Sequence, residues 1–132
     1  MSGISDVPTL LKSMRPKLAN GEFVFCSIQP NQFAAHSEEL NPLLVFREDE
    51  GITLIIEKKI ADKNNLKYSD SETWALITLT VHSDLSAVGF IAAITTKLAK
   101  SGIPVNAVSA YYHDHLFVPH AMAVKAMQAL MI

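Results

Sequence analysis

Only one of the 132 residues, Cys26, is a cysteine, so no disulfide can form within the chain. A secreted scaffold held by disulfide staples is therefore not expected. Glycine is sparse as well, at five residues, and neither G-x-G-x-x-G nor G-x-x-x-x-G-K occurs. Without such a loop to cradle phosphates, no nucleotide cofactor is expected. Lys and Arg form no run, and eleven basic against thirteen acidic residues give a net charge of -2. That balance offers no electrostatic footprint for a nucleic acid. Nowhere do about 18 apolar residues run together, so no membrane-spanning helix is expected. Asp6 and Pro8 interrupt the stretch Met1 to Arg15 where a signal peptide would need an apolar run, which makes the cytoplasm the expected compartment.

What is present is the composition of a folded protein: 49% apolar and 18% charged residues. The length suits one domain or two very small ones, and it buries enough surface to fold without metal or disulfide. Asp6 can cap a short helix with Pro8 in its first turn and Leu10, Leu11 and Met14 as its apolar stripe, ending before Pro16. Asn20-Gly21 reads as a turn, and Phe23 to Ile28 as a strand covered on both faces. Gln29 to Asn41 is polar and reads as a loop. Leu43 to Arg47 and Ile52 to Glu57 form a hairpin across the acidic link Glu48-Asp49-Glu50-Gly51, with Gly51 expected at positive φ. Lys58 to Leu66 reads as a short helix. The polar stretch KYSDSE after it marks the internal boundary, giving units 1–68 and 69–132.

The second half reads as a strand from Trp74 to His82, then possible caps in Ser83-Asp84-Leu85-Ser86. The helix that follows runs to about Lys100, with Val88, Ile91, Ala92, Thr95, Leu98 and Ala99 expected on its inner stripe. Ser101-Gly102-Ile103-Pro104 is a stop signal, with Gly102 fitting the left-handed position just past a helix end. Strands at Val105 to Tyr111 and His115 to Val118 flank a tight turn around Tyr112-His113-Asp114. Pro119 opens a last helix with Ala123, Val124, Met127, Leu130 and Met131 turned inward. This order matches a ferredoxin-like βαββαβ unit that lacks its closing strand. The first half repeats the plan weakly, with loop in place of its first helix and a closing strand borrowed from elsewhere. The expected class is α/β, as two small units sharing strands.

The stretch VHSDLSAVGFIAAITTKLAKSGIPVNAVSAYYHDHLFVP resembles the ACT domain, a regulatory module of amino-acid metabolism. It is most similar to the aspartokinase type and to the double-ACT cytosolic arginine sensors. GEFVFCSI and FREDEGITLIIE resemble stand-alone bacterial double-ACT proteins. The resemblance implies tandem ferredoxin-like units with antiparallel sheets and helices on one face. It also implies an amino-acid ligand held between paired units, and a homodimer. The implied ligand loop is Ser83, Asp84, Leu85, Ser86, Ala87, Val88 and Gly89, facing the strand residues Asn106, Ala107 and Val108. Asp114 occupies the place of the acidic residue that meets a cationic side chain in the arginine sensors, with His113 beside it. Many family members carry Pro-Gly at the helix start, where this chain has Ser86-Ala87.

Elementary chemistry agrees with that site. N–H groups exposed at a helix start can take a ligand carboxylate, and an acidic side chain can take its ammonium. Asp84 is itself negative and would cap the helix or meet the cationic end. Tyr111-Tyr112-His113-Asp114-His115 reads as an exposed turn or a metabolite contact; no other metal ligands lie at a recognised spacing. His82, Ser83 and Asp84 are adjacent and point apart, so they form no triad. Cys26 in its apolar strand reads as an inert core thiol, and Met122, Met127 and Met131 as core or dimer surface. The expected function is a non-catalytic amino-acid sensor acting on a separate partner, with no cofactor and no metal. The alternatives are an interaction module without a small-molecule ligand, and a small enzyme or metal site using His113, Asp114 and His115.

Overall fold

A computed structural model describes residues 6–69, 72–81 and 84–131. The chain packs as two units: residues up to Asn20 together with Ala75 onward, and Gly21 to Trp74.

The first unit begins with α1 (Val7–Ser13), whose N-cap Asp6 accepts a hydrogen bond from the Thr9 N–H, as expected. After it comes β1 (Pro16–Leu18). The unit resumes with β5 (Trp74–Leu79), α4 (Phe90–Lys100), β6 (Asn106–Ser109) and β7 (Asp114–Pro119). A 3-10 turn (His120–Met122) leads into α5 (Ala123–Leu130). Its strands lie in the order β1-β5-β7-β6. β1 runs antiparallel to β5, with Pro16 opposite Leu79 and Leu18 opposite Ile77. The closing strand that the second half lacks is thus supplied by the N-terminal segment. Leu10 and Met14 join Ile77, Leu79, Phe90, Ile94, Leu98, Leu116 and Val118 in one apolar core.

The second unit runs β2 (Phe23–Ile28), α2 (Pro30–Leu40), β3 (Leu44–Arg47), β4 (Ile52–Glu57) and α3 (Lys58–Lys63). β4 lies between β2 and β3, antiparallel to both, and Trp74 pairs with Phe23 on the other side of β2. Val24, Cys26, Ile28, Leu40, Leu54 and Ile56 form its core. Burial pushes the Cys26 thiol up to about 11, which keeps it protonated and inert as expected. Trp74 packs edge-to-face on Phe25 at 5.6 Å between ring centroids.

Several expectations are corrected here. Gln29 to Asn41 is not loop: Pro30 opens α2 and Gln29 and Gln32 form a capping box across its start. The polar composition masked a helix that buries only Leu40. Gly51 does not take positive φ; that role falls to Gly21, Gly89 and Gly102. Glycine is needed at 51 because a Cβ there would lie 2.9 Å from the Ser27 hydroxyl and 3.2 Å from the Ile28 carbonyl oxygen. The inner stripe of α4 is Phe90, Ile94 and Leu98, while Val88 is 86% exposed. The inner face of α5 is Ala126 and Leu130, with Val124 and Met131 exposed.

The stop after α4 follows the expected design. Gly102 is left-handed at φ 73, its N–H donates to the Ala99 carbonyl, and the Ile103 N–H reaches back to Leu98 at 3.0 Å. An added Cβ at Gly102 would meet nothing within 4 Å, so Gly102→Ala pays only for the left-handed backbone. We expect a loss of about 1 kcal/mol, read as a thermal midpoint roughly 3–5 °C lower. An unchanged midpoint would show that the helix end rearranges without cost.

Candidate functional site

The candidate site lies within the first unit, where the segment after β5 meets the β6–β7 hairpin. His82 and Ser83 lie outside the described residues, so the expected contact at Ser83 is not located. From Asp84 the chain folds into a turn. The Asp84 carboxylate accepts the Ser86 N–H at 2.8 Å, and its carbonyl accepts the Ala87 N–H at 2.9 Å. Asp84 therefore fastens this turn instead of capping α4. The helix starts later than expected, at Phe90, behind Gly89 at φ 97 and ψ -9. A left-handed N-cap suits glycine alone, and its carbonyl accepts the Ala93 N–H at 2.9 Å. The N–H groups of Phe90, Ile91 and Ala92 come before the first intrahelical donor and carry the positive end of the helix dipole.

Across from this helix start, Ser109 pairs with Asp114 in the antiparallel ladder of β6 and β7. The hairpin turn is Tyr111-Tyr112, closed by the Ala110 N–H on the His113 carbonyl at 3.0 Å, one residue earlier than expected. Asp114 is 6% exposed and is the buried charged side chain among the described residues. A cleft of about 110 Å³ joins these parts, lined by Asp84, Leu85, Ala87, Gly89, Phe90, Ile91, Ala92, Ser109 and Asp114.

Five of the expected contacts thus share one cleft: Asp84, Leu85, Ala87, Gly89 and Asp114. Ser86 and Val88 lie in the same turn but outside the lining. Asn106, Ala107 and Val108 are outside it too. Opposite residues of an antiparallel pair share a face. Ala107 is opposite the core residue Leu116 and so faces the helices, whereas Val108 is opposite His115 on the other face. Phe90, Ile91, Ala92 and Ser109 were missed. The left-handed Gly89 was the available signal for the first three, since it moves the helix start by several residues. Ser109 has no local signal.

His113 and His115 do not reach the cleft. His115 follows Asp114 in β7, so the two side chains point to opposite faces, while His113 precedes the strand. The His115 Nδ1 lies 2.9 Å from the Thr78 hydroxyl. The His113 Nδ1–H donates to the Val81 carbonyl at 3.4 Å. Among the described residues no three His, Cys, Asp or Glu side chains converge on a metal position.

Burial, and then the nearby His113, hold the His115 imidazole below its usual value, against a smaller opposing pull from Asp114. Its folded pKa is thus below its unfolded one, so its contribution to stability is complete above about pH 6.5. That contribution is lost as pH falls through the folded value. Melting midpoints measured from pH 7 to pH 5 should drop, and His115→Gln should flatten part of that drop. An identical slope in the variant would remove His115 as the cause.

With this geometry established, the similarities of the chain become informative. Models of a family described as ACT domain match residues 2–72 and 71–131. No curated protein matches the chain. A crystal structure from Vibrio cholerae, of a protein of unknown function described as a possible transport protein, is 44% identical with a TM-score of 0.80. That match covers 92% of this chain and 91% of the other. A protein from Agrobacterium tumefaciens superposes with a TM-score of 0.67 at 16% identity, over 89% of this chain and 87% of that one. The ligand-free regulatory subunit of aspartate kinase from Thermus thermophilus gives 0.61 at 11% identity, over 88% and 94%. The last two show likeness of fold alone. Among the described residues no helix is long and apolar enough to cross a membrane.

Proposed function

This chain belongs to the ACT domain family, and from that premise we propose that it is a non-catalytic sensor of an amino acid or a related small zwitterion. One observation carries the reading: the buried Asp114 and the start of α4 line the same cleft. The N–H groups at Phe90, Ile91 and Ala92 take the ligand carboxylate, aided by the helix dipole. Asp114 takes the ammonium in a charge-assisted hydrogen bond. A cleft of about 110 Å³ has room for about four water-sized groups, which suits the zwitterionic end of an amino acid.

A catalytic role for His113, Asp114 and His115 finds no support, because neither imidazole lines the cleft that Asp114 lines. Ligand binding would favour one of two arrangements of the protein, which is how a module of this kind regulates a partner. The proposal includes a homodimer in the cytoplasm. The single buried thiol and the exposed Val124 and Met131 on α5 support it.

Thermal melting against the twenty amino acids tests the reading. A midpoint rise confined to one chemical class supports the sensor. A flat panel at millimolar concentration sinks free amino acids as ligands.

A further inference from the structure

Going beyond that reading, we propose that the second unit carries a separate small-molecule site, a pocket beside α2 that takes a neutral amphiphile with a short apolar body and one hydrogen-bonding head. The pocket exists because α2 is underpacked. α2 and α4 are both eleven residues long, yet α4 buries Phe90, Ile94 and Leu98 while α2 buries Leu40 alone. On the other side α3 stops after six residues, and Asn65 turns the chain at φ 56. The Leu66 N–H then closes onto the Ala61 carbonyl at 2.9 Å. Between the two lies a pocket of about 160 Å³, lined by Ile28, Gln32, His36, Leu40, Asn64 and Leu66. The pocket opens to solvent at Gln32 and His36, and its volume is close to the roughly 150 Å³ that accommodates a benzene-sized body.

The lining divides by chemistry. Ile28 and Leu40 are 5% and 2% exposed and, with Leu66, supply the apolar part. Gln32 and Asn64 each spend one end of the amide on the fold and keep the other. Gln32 accepts the Gln29 N–H through Oε1 at 3.1 Å, which leaves its NH2 group. The Asn64 Nδ2 donates to the Ile60 carbonyl at 2.9 Å, which leaves Oδ1 as an acceptor. His36 makes no comparable bond: its Nδ1 lies 3.8 Å from Glu39 Oε2 on the half-exposed rim, so the imidazole stands at the pocket mouth. A hydroxyl or primary amide both donates and accepts, as this set requires. No lysine, arginine, aspartate or glutamate is in the lining, so the pocket favours a neutral ligand over a zwitterion or an ion.

Titration of the full chain with benzyl alcohol, followed by amide NMR, tests the site. Saturable shifts are expected at Ile28, Gln32, His36, Leu40, Asn64 and Leu66, half-complete on the order of 1 mM. His36→Phe fills the pocket and should abolish them without lowering the melting midpoint. Gln32→Leu, on the exposed side of α2, removes the donor and should weaken binding by about tenfold. Shifts that never saturate, saturable shifts confined to other residues, or unchanged binding in the folded variants would overturn the proposal.

Discussion

Replacing Leu10 with alanine should cost the first unit about 2–5 kcal/mol, although most of the side chains it packs against, from Ile77 onward, lie far along the chain. Leu10 is 0% exposed and shares a core with Ile77, Leu79, Phe90 and Ile94. α1 lies against α4, and β1 continues the same attachment through its ladder with β5. Two further bonds extend that ladder, from the Ala19 N–H to the Leu76 carbonyl and from the Thr80 N–H to the Arg15 carbonyl, each 2.9 Å. Removing three carbons from such a position leaves a cavity that a close-packed core cannot fully refill. The melting midpoint should fall by roughly 10 °C or more, and amide exchange should quicken along β5 and α4. Leu11→Ala, at a half-buried position on the same helix, should cost less. Equal and small effects at both positions would mean that the N-terminal segment is not part of this core.

Asp114→Ala is expected to remove most of the ligand-induced rise in stability. Ligand at 100 times its dissociation constant adds about 2.7 kcal/mol. Losing a charge-assisted bond to a buried carboxylate weakens binding by about 100-fold, and the same ligand concentration then adds only about 0.4 kcal/mol. Asp114→Asn keeps the shape of the side chain but not its charge, so it separates the two contributions. Melting curves with and without the ligand found in the amino-acid panel provide the measurement. A full rise in both variants would place the ligand outside the cleft.

The legible parts of the site and fold were those written in neighbouring residues. β2 and β4 fall on the expected residues, Phe23–Ile28 and Ile52–Glu57. Each is a mostly apolar run bounded by turn residues. The turn at Asp84 and its proximity to Asp114 were legible through the family resemblance, not through spacing. The start of α4 was misplaced because Ser83, Asp84 and Ser86 all offer side chains that can cap. The position is decided by the left-handed backbone at Gly89, a signal that the competing caps hid. His113, just before β7, turns to the Val81 carbonyl instead of the cleft that Asp114 lines.

By itself, the sequence determined the Asp6 cap, the Gly102 stop, the core strands and the absence of disulfides and phosphate loops. Each rests on composition or on interactions spanning a few residues. Tertiary structure alone decided that β1 closes the sheet beside β5, that Gln29 to Asn41 winds into α2, and that Ser109 stands beside Asp114 at the cleft. Gly51 is of the same kind, since what crowds a side chain there is the Ser27 hydroxyl and the Ile28 carbonyl of β2 across the ladder. These outcomes depend on which surfaces meet. Burial against a distant partner outweighs the small local preferences by which a polar helix, a three-residue strand or a hairpin serine would otherwise be recognised.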